Sequence, residues 1–282
     1  RMTSNQHLVS LARKIAPKRD WQDLVLPQDA IAQLQELCQQ VRHRTQVYTN
    51  WGFDRHLSLG KGVIALFTGE SGTGKTLSAE ILAKELGLEL YQVDLSLVVS
   101  KYIGETEKNL SRVFSEAQAS NAILLFDEAD ALFGKRSDIK DAHDRYANIE
   151  TNYLLQRVET YEGVIILTTN LSKNIDPAFT RRLHFSIEFP FPNEYHRLKI
   201  WQRMFPSQAP VSNEVDYEFL ADRFKIAGGN IKNVVTAAAF RAAAAGGTIE
   251  MSHIILSLKR EYHKLGKVCE RTEFEPYYDL TI

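Results

Sequence analysis

Five short apolar runs punctuate the chain: VIALFT (63–68), LYQVDL (90–95), AILLFD (122–127), VIILTT (164–169) and FSIEF (185–189). Runs of this length, with almost no polar interruption, suit strands buried on both faces. Longer helical patterns separate them. Such alternation predicts an α/β domain, a parallel sheet with helices on both faces. After FPFPNE (189–194) the strands stop, and EYHRLKIWQRMF, DYEFLADRF, GNIKNVVTAAAFRAAAA and MSHIILSLKREYHKL carry helical periodicity instead. The expected division is an N-terminal extension or linker over 1–20, an α/β domain over 21–191, a small all-helical domain over 192–267 and a tail over 268–282. Ahead of the first strand, AIAQLQELCQQVRHR predicts an amphipathic helix. The tail's EFEPYYDLTI is acidic and aromatic, and docking and fraying both stay open for it.

Composition narrows the partners. Lys and Arg total 34 and Asp and Glu 35, so no overall field draws the chain to nucleic acid or an anionic membrane. No apolar run approaches the roughly 20 residues of a membrane-spanning helix, and the opening RMTSNQHLVS lacks a signal-peptide core. Cys38 and Cys269 form neither a disulfide framework nor a metal-ligand spacing, so a reducing, cytoplasmic setting is expected. The first residue is Arg rather than Met, which leaves a preceding domain open.

The candidate chemistry starts at GESGTGKT, residues 69–76, which follows the first predicted strand and opens the helical LSAEILAKEL. This is a phosphate-binding loop in its required strand–loop–helix context, where main-chain N–H groups and the helix N-terminus cradle phosphates. Gly69, Glu70, Ser71, Gly72, Thr73, Gly74, Lys75, Thr76 and Leu77 are the predicted nucleotide contacts. Lys75 reaches the β and γ phosphates, and Thr76 holds Mg2+ with its hydroxyl. The next strand but one ends in acids: Asp127 is the second metal position, and Glu128 orients or deprotonates the attacking water. VIILTTN ends at Asn170, whose amide suits either a contact to that water or an ordinary turn. Arg181 and Arg182 precede the last strand, placed either as solvated residues or as arginines reaching a neighbouring subunit's nucleotide.

GESGTGKT, LLFDEAD, TTN and FTRRL, in this order and followed by a helical lid, resemble an AAA+ ATPase module. SKYIGETEKN and FTRRL are similar to the protein-remodelling branch that includes katanin and spastin. The fuller wording of LFDEADALFGKRSDIKDAHDRYANIETNYLLQRVE resembles bacterial AAA ATPases encoded with phage-tail-like contractile injection particles. The resemblance implies a homo-oligomeric ring, usually of six subunits, that binds ATP with Mg2+ between neighbours and acts on a protein client. That client would be a component, cargo or effector of an injection particle.

Carried over by position, the resemblance places the adenine pocket at Asp23, Leu24, Val25 and Leu26, where the family's usual glycine is missing. It places a second contact region at Gly228, Gly229 and Asn230, and a first pore loop at Lys101, Tyr102 and Ile103. Lys135 and Arg136 fall where a second pore loop belongs, although a solvated charged loop reads equally well. Two other functions stay open: a nucleotide-gated assembly scaffold that threads nothing, and a DNA-acting module, which the neutral charge balance disfavours.

Overall fold

The computed structural model describes residues 12–56, 61–94, 105–129, 153–170 and 177–281. The predicted pore-loop residues Lys101, Tyr102 and Ile103, together with Lys135 and Arg136, lie outside them. The chain divides into two compact units, Arg1–Glu70 with Lys75–Phe189 and Ser71–Gly74 with Pro190–Ile282.

The first unit is built on a six-stranded sheet. Its strands are β1 (Ala12–Ile15), β2 (Val63–Thr68), β3 (Leu90–Val93), β4 (Ile123–Phe126), β5 (Val164–Thr169) and β6 (Phe185–Glu188). They lie in the order β1-β3-β4-β5-β2-β6, all parallel except β1 against β3. The five runs read from the sequence are β2 to β6.

Period-two alternation sends each buried strand into two cores. Val63, Ala65 and Phe67 of β2 pack with helix α1 (Gln28–Thr45) and helix α2 (Lys75–Leu86) on one face. Ile64 and Leu66 pack with helix α3 (Glu105–Ser120) and the helical residues 153–160 on the other. Because neither face of β2 or β5 meets solvent, their runs are apolar up to the threonines at their carboxyl ends. The helices show the complementary spacing: Ala30, Leu34, Leu37 and Cys38 on α1, and Leu110, Val113, Phe114 and Ala117 on α3.

β1 was not expected, since residues 1–20 read as extension or linker. Only four residues long, with Arg13 and Lys14 at its centre, it carries too little apolar pattern to announce a strand. It pairs through main-chain bonds and an ion pair from Lys14 to Glu89 at 2.5 Å. The following segment is fastened along α2. Lys18 and Arg19 N–H donate to Glu80 Oε1 at 2.7 and 3.2 Å, Lys84 pairs with Asp20 at 2.7 Å, and Trp21 Nε1 donates to Glu85 Oε2 at 3.2 Å.

The second unit is helical: α5 (Glu194–Met204), α6 (Tyr217–Arg223), α7 (Gly228–Ala245) and α8 (Met251–Lys264), with α4 denoting residues 153–160 of the first unit. Asn193 caps α5 and Asp216 caps α6, each accepting a main-chain N–H at 2.9 Å. Trp201, Phe224, Ile231, Ile254, Leu258 and Tyr262 form its core. The tail is part of that core. Phe274 is fully buried, its ring 4.9 Å from Phe224 and 5.8 Å from Tyr262, while the Tyr262 hydroxyl donates to Glu273 at 2.8 Å.

Candidate functional site

Three neighbouring parallel strands, β4, β5 and β2, end side by side, and their carboxyl ends carry the candidate chemistry. This is where open α/β sheets hold ligands, because the strand-to-helix turns and helix N-termini gather there. β2 runs into the phosphate loop, β4 into Asp127 and Glu128, and β5 into Asn170.

The phosphate loop needs its glycines. Gly69, Gly72 and Gly74 have φ of 149°, 80° and 109°, which L side chains rarely adopt. A Cβ on Gly69 would also lie 2.2 Å from the Phe189 carbonyl oxygen. α2 then begins at Lys75, so its first-turn N–H groups, which lack intrahelical partners, lie next to the loop. Lys75 itself is buried, 7% exposed. Its Nζ donates to Gly69 O at 2.5 Å, Glu70 O at 2.9 Å and Asn170 Oδ1 at 2.9 Å. The predicted cation and the predicted polar strand end therefore meet directly. Within the second unit, Gly229 N–H donates to Gly72 O at 2.9 Å, and Asn230 Nδ2 donates to Glu261 Oε1 at 2.8 Å.

On the other side of Asn170's strand, Asp127 accepts from Thr168 Oγ1 at 2.5 Å and from Gln92 Nε2 at 2.9 Å. Neither partner was anticipated. The only sequence signal for Thr168 is strand register: Phe126 lies opposite Leu167, which puts Asp127 beside Thr168. Glu128 sits in the left-handed region with φ of 53°, a conformation costing a non-glycine residue about 1–2 kcal/mol. Its side chain is exposed.

The oxygen donors suit a hard cation. Among the described residues no group of three or more His, Cys, Asp or Glu could cage a metal. A carboxylate and a hydroxyl, the groups expected from Asp127 and Thr76, are donor types that Mg2+ would accept, since it keeps waters and takes remaining ligands from substrate phosphates.

The remaining predicted positions are divided. Leu24 and Leu26 are buried in the core with β2 and α2, while Asp23 and Val25 are half-buried. Asp23 Oδ2 accepts the Asp20 N–H at 2.9 Å. Leu77 packs partly buried against the same core. Arg181 and Arg182 are both exposed, but Arg182 pairs through Nε with Glu159 of its own chain. Burial pushes the Cys38 thiol up to about 11, leaving it protonated and inert.

Residues 65–192 match the family described as ATPase family associated with various cellular activities (AAA). An uncharacterized AAA family ATPase of Sinorhizobium fredii is 34% identical over 181 residues, 64% of this chain and 52% of the relative. The 26S proteasome subunit RPT4 of Saccharomyces cerevisiae is 33% identical over 190 residues, 64% of this chain and 42% of that protein. The 26S proteasome regulatory subunit 10B of Dictyostelium discoideum is 31% identical over 225 residues, 76% of this chain and 56% of that protein. The chain thus spans about half the length of these relatives. No helix among the described residues is long and apolar enough to cross a membrane. The phosphate loop, the paired acids and the strand-end amide, on adjacent parallel strands, all lie within the residues that match the AAA family.

Proposed function

We propose that this chain is the Mg-ATP-driven module of a cytoplasmic homo-hexameric ring that remodels or threads a protein client. The observation that carries the ATPase part is the meeting of Lys75 with Asn170 beside the Asp127–Glu128 turn, at the ends of three adjacent strands. The remodelling part is supported by relatives named as 26S proteasome subunits. A katanin- or spastin-like branch and a client from a contractile injection particle rest on the resemblance of SKYIGETEKN, FTRRL and the segment after Asp127.

The chain's own residues divide the work. Loop N–H groups and the α2 N-terminus bind phosphate oxygens. Lys75, an ammonium with three donors, exchanges a bond within its cradle for the terminal phosphates, and Asn170 is thereby released toward the attacking water. Glu128 takes that water's proton as it attacks phosphorus, and the bond to the leaving ADP oxygen breaks. Thr76 and Asp127 would hold Mg2+, which when bound would supply charge neutralisation at the phosphates. Arg181 makes no ion pair among the described residues and is the better placed of the two arginines to reach a neighbour.

Glu128→Gln tests the core of this assignment: ATP still binds and turnover falls to background. Wild-type turnover in that variant would remove Glu128 from the mechanism. Mixing Arg181→Ala with Lys75→Ala subunits should restore part of the activity lost in each alone; strictly additive loss refutes the arginine in trans. Client-stimulated turnover abolished by Tyr102→Ala supports threading, and indifference to that change supports a nucleotide-gated scaffold.

A further inference from the structure

The Asp127–Glu128 turn hangs from one side chain. An N–H can only donate, so Thr168 Oγ1 accepts from Glu128 N at 3.1 Å, and its single proton goes to Asp127 Oδ1 at 2.5 Å. The main chain of the same residue completes the hold, because Ala129 N–H donates to Thr168 O at 2.8 Å. Three hydrogen bonds from residue 168 therefore bracket Glu128, the residue in the left-handed conformation. Thr168 is 1% exposed, so water cannot take over when the hydroxyl is lost. Gln92 Nε2 fixes the other carboxylate oxygen at 2.9 Å, leaving each oxygen a lone pair for a further ligand.

We infer that Thr168 is a positioning residue that sets the metal-facing carboxylate and the water-facing Glu128 together, with Gln92 clamping Asp127 from the neighbouring strand. One hydroxyl couples two roles: moving Asp127 moves the acceptor on which the Glu128 main chain hangs. A threonine here is not required by packing, since a valine fills the same shape. The inference rests on ATP being the substrate of this site.

The test compares the full chain with Thr168→Val, Thr168→Ser and Gln92→Leu. Three quantities are measured: ATP turnover, KM for ATP at saturating Mg2+, and Mn2+ affinity of the complex with a non-hydrolysable ATP analogue, by electron paramagnetic resonance. Loss of such an outer-shell hydrogen bond is worth about 10- to 100-fold. Thr168→Val should lower kcat by that factor and weaken Mn2+ about 10-fold, with KM for ATP changed less than about 2-fold. Thr168→Ser, which keeps the hydroxyl, should recover both. Gln92→Leu should weaken Mn2+ comparably but lower kcat less, because Gln92 does not touch the Glu128 main chain.

Unchanged kcat and Mn2+ affinity in Thr168→Val overturn the inference, as does a loss that serine fails to recover. Should circular dichroism find Thr168→Val unfolded, Gln92→Leu decides, and wild-type Mn2+ affinity in it overturns the clamp. A wild-type chain that neither binds nor hydrolyses ATP overturns the ATPase assignment instead, an outcome distinct from an active enzyme indifferent to residue 168.

Discussion

The two sides of the site are assembled in different ways. On the phosphate side, Gly69 to Thr76 supply turn, cation, hydroxyl and helix start within eight consecutive residues, each dictated by local backbone geometry. On the carboxylate side, Asp127 depends on Gln92, 35 positions earlier, and Thr168, 41 positions later, which only the pairing of β3, β4 and β5 brings together. A contiguous loop carries its geometry wherever it is placed. A carboxylate clamp carries it only while three strands keep their register, because a one-residue slip turns every side chain to the opposite face.

The largest expected effect breaks the phosphate side alone. Lys75→Ala removes a charge-assisted donor and should weaken ATP about 100-fold, read by fluorescent nucleotide titration, with the sheet intact by circular dichroism. Equal affinity in the variant would mean that the loop's main chain binds phosphate without its cation. A smaller effect is expected at Asn170, which accepts from Lys75 just past the end of β5. Asn170→Asp places an anion against Lys75, strengthening that pair and opposing the phosphates. KM for ATP should rise about 10-fold in steady-state kinetics, and a lowered KM would contradict the exchange of partners.

The smallest effect reaches the carboxylate side through the strand that carries Gln92. Lys14 holds the Glu89 carboxyl below its ordinary 4.5, with burial opposing and the Tyr91 hydroxyl assisting. A depressed carboxyl contributes stability that is complete above 4.5 and disappears as pH falls through its lower folded value. Protection of the β1 amides against hydrogen exchange, relative to their intrinsic rates, should therefore fall below pH 4.5, ahead of that in β4 and β5. Simultaneous loosening of all three strands would show that the sheet titrates as one body.

Legibility followed the same division. The five parallel strands, the helices that cover them and the phosphate loop were readable because burial on both faces and glycine-dependent turns leave contiguous signatures. Asp127, Glu128 and Asn170 were readable as strand ends, but their partners were not. Thr168 and Gln92 look like ordinary strand residues until the order β3-β4-β5 is known. Leu26 is legible in the sequence only as an apolar residue, because one beside a pocket and one beneath it read alike. The tail's fate turned on Phe274, whose ring packs against Phe224 at the end of α6 and Tyr262 of α8.

β1 has a consequence beyond the site. Without Ala12–Ile15, the outer side of β3 would present unpaired N–H and C=O groups along an apolar strand, a template for adhesion between copies of the chain. With them, the outermost strand is short and carries Arg13 and Lys14, charges that discourage another chain from adding on. Trimming the chain past Ile15 should therefore show itself first as self-association, visible by light scattering, rather than as lost catalysis.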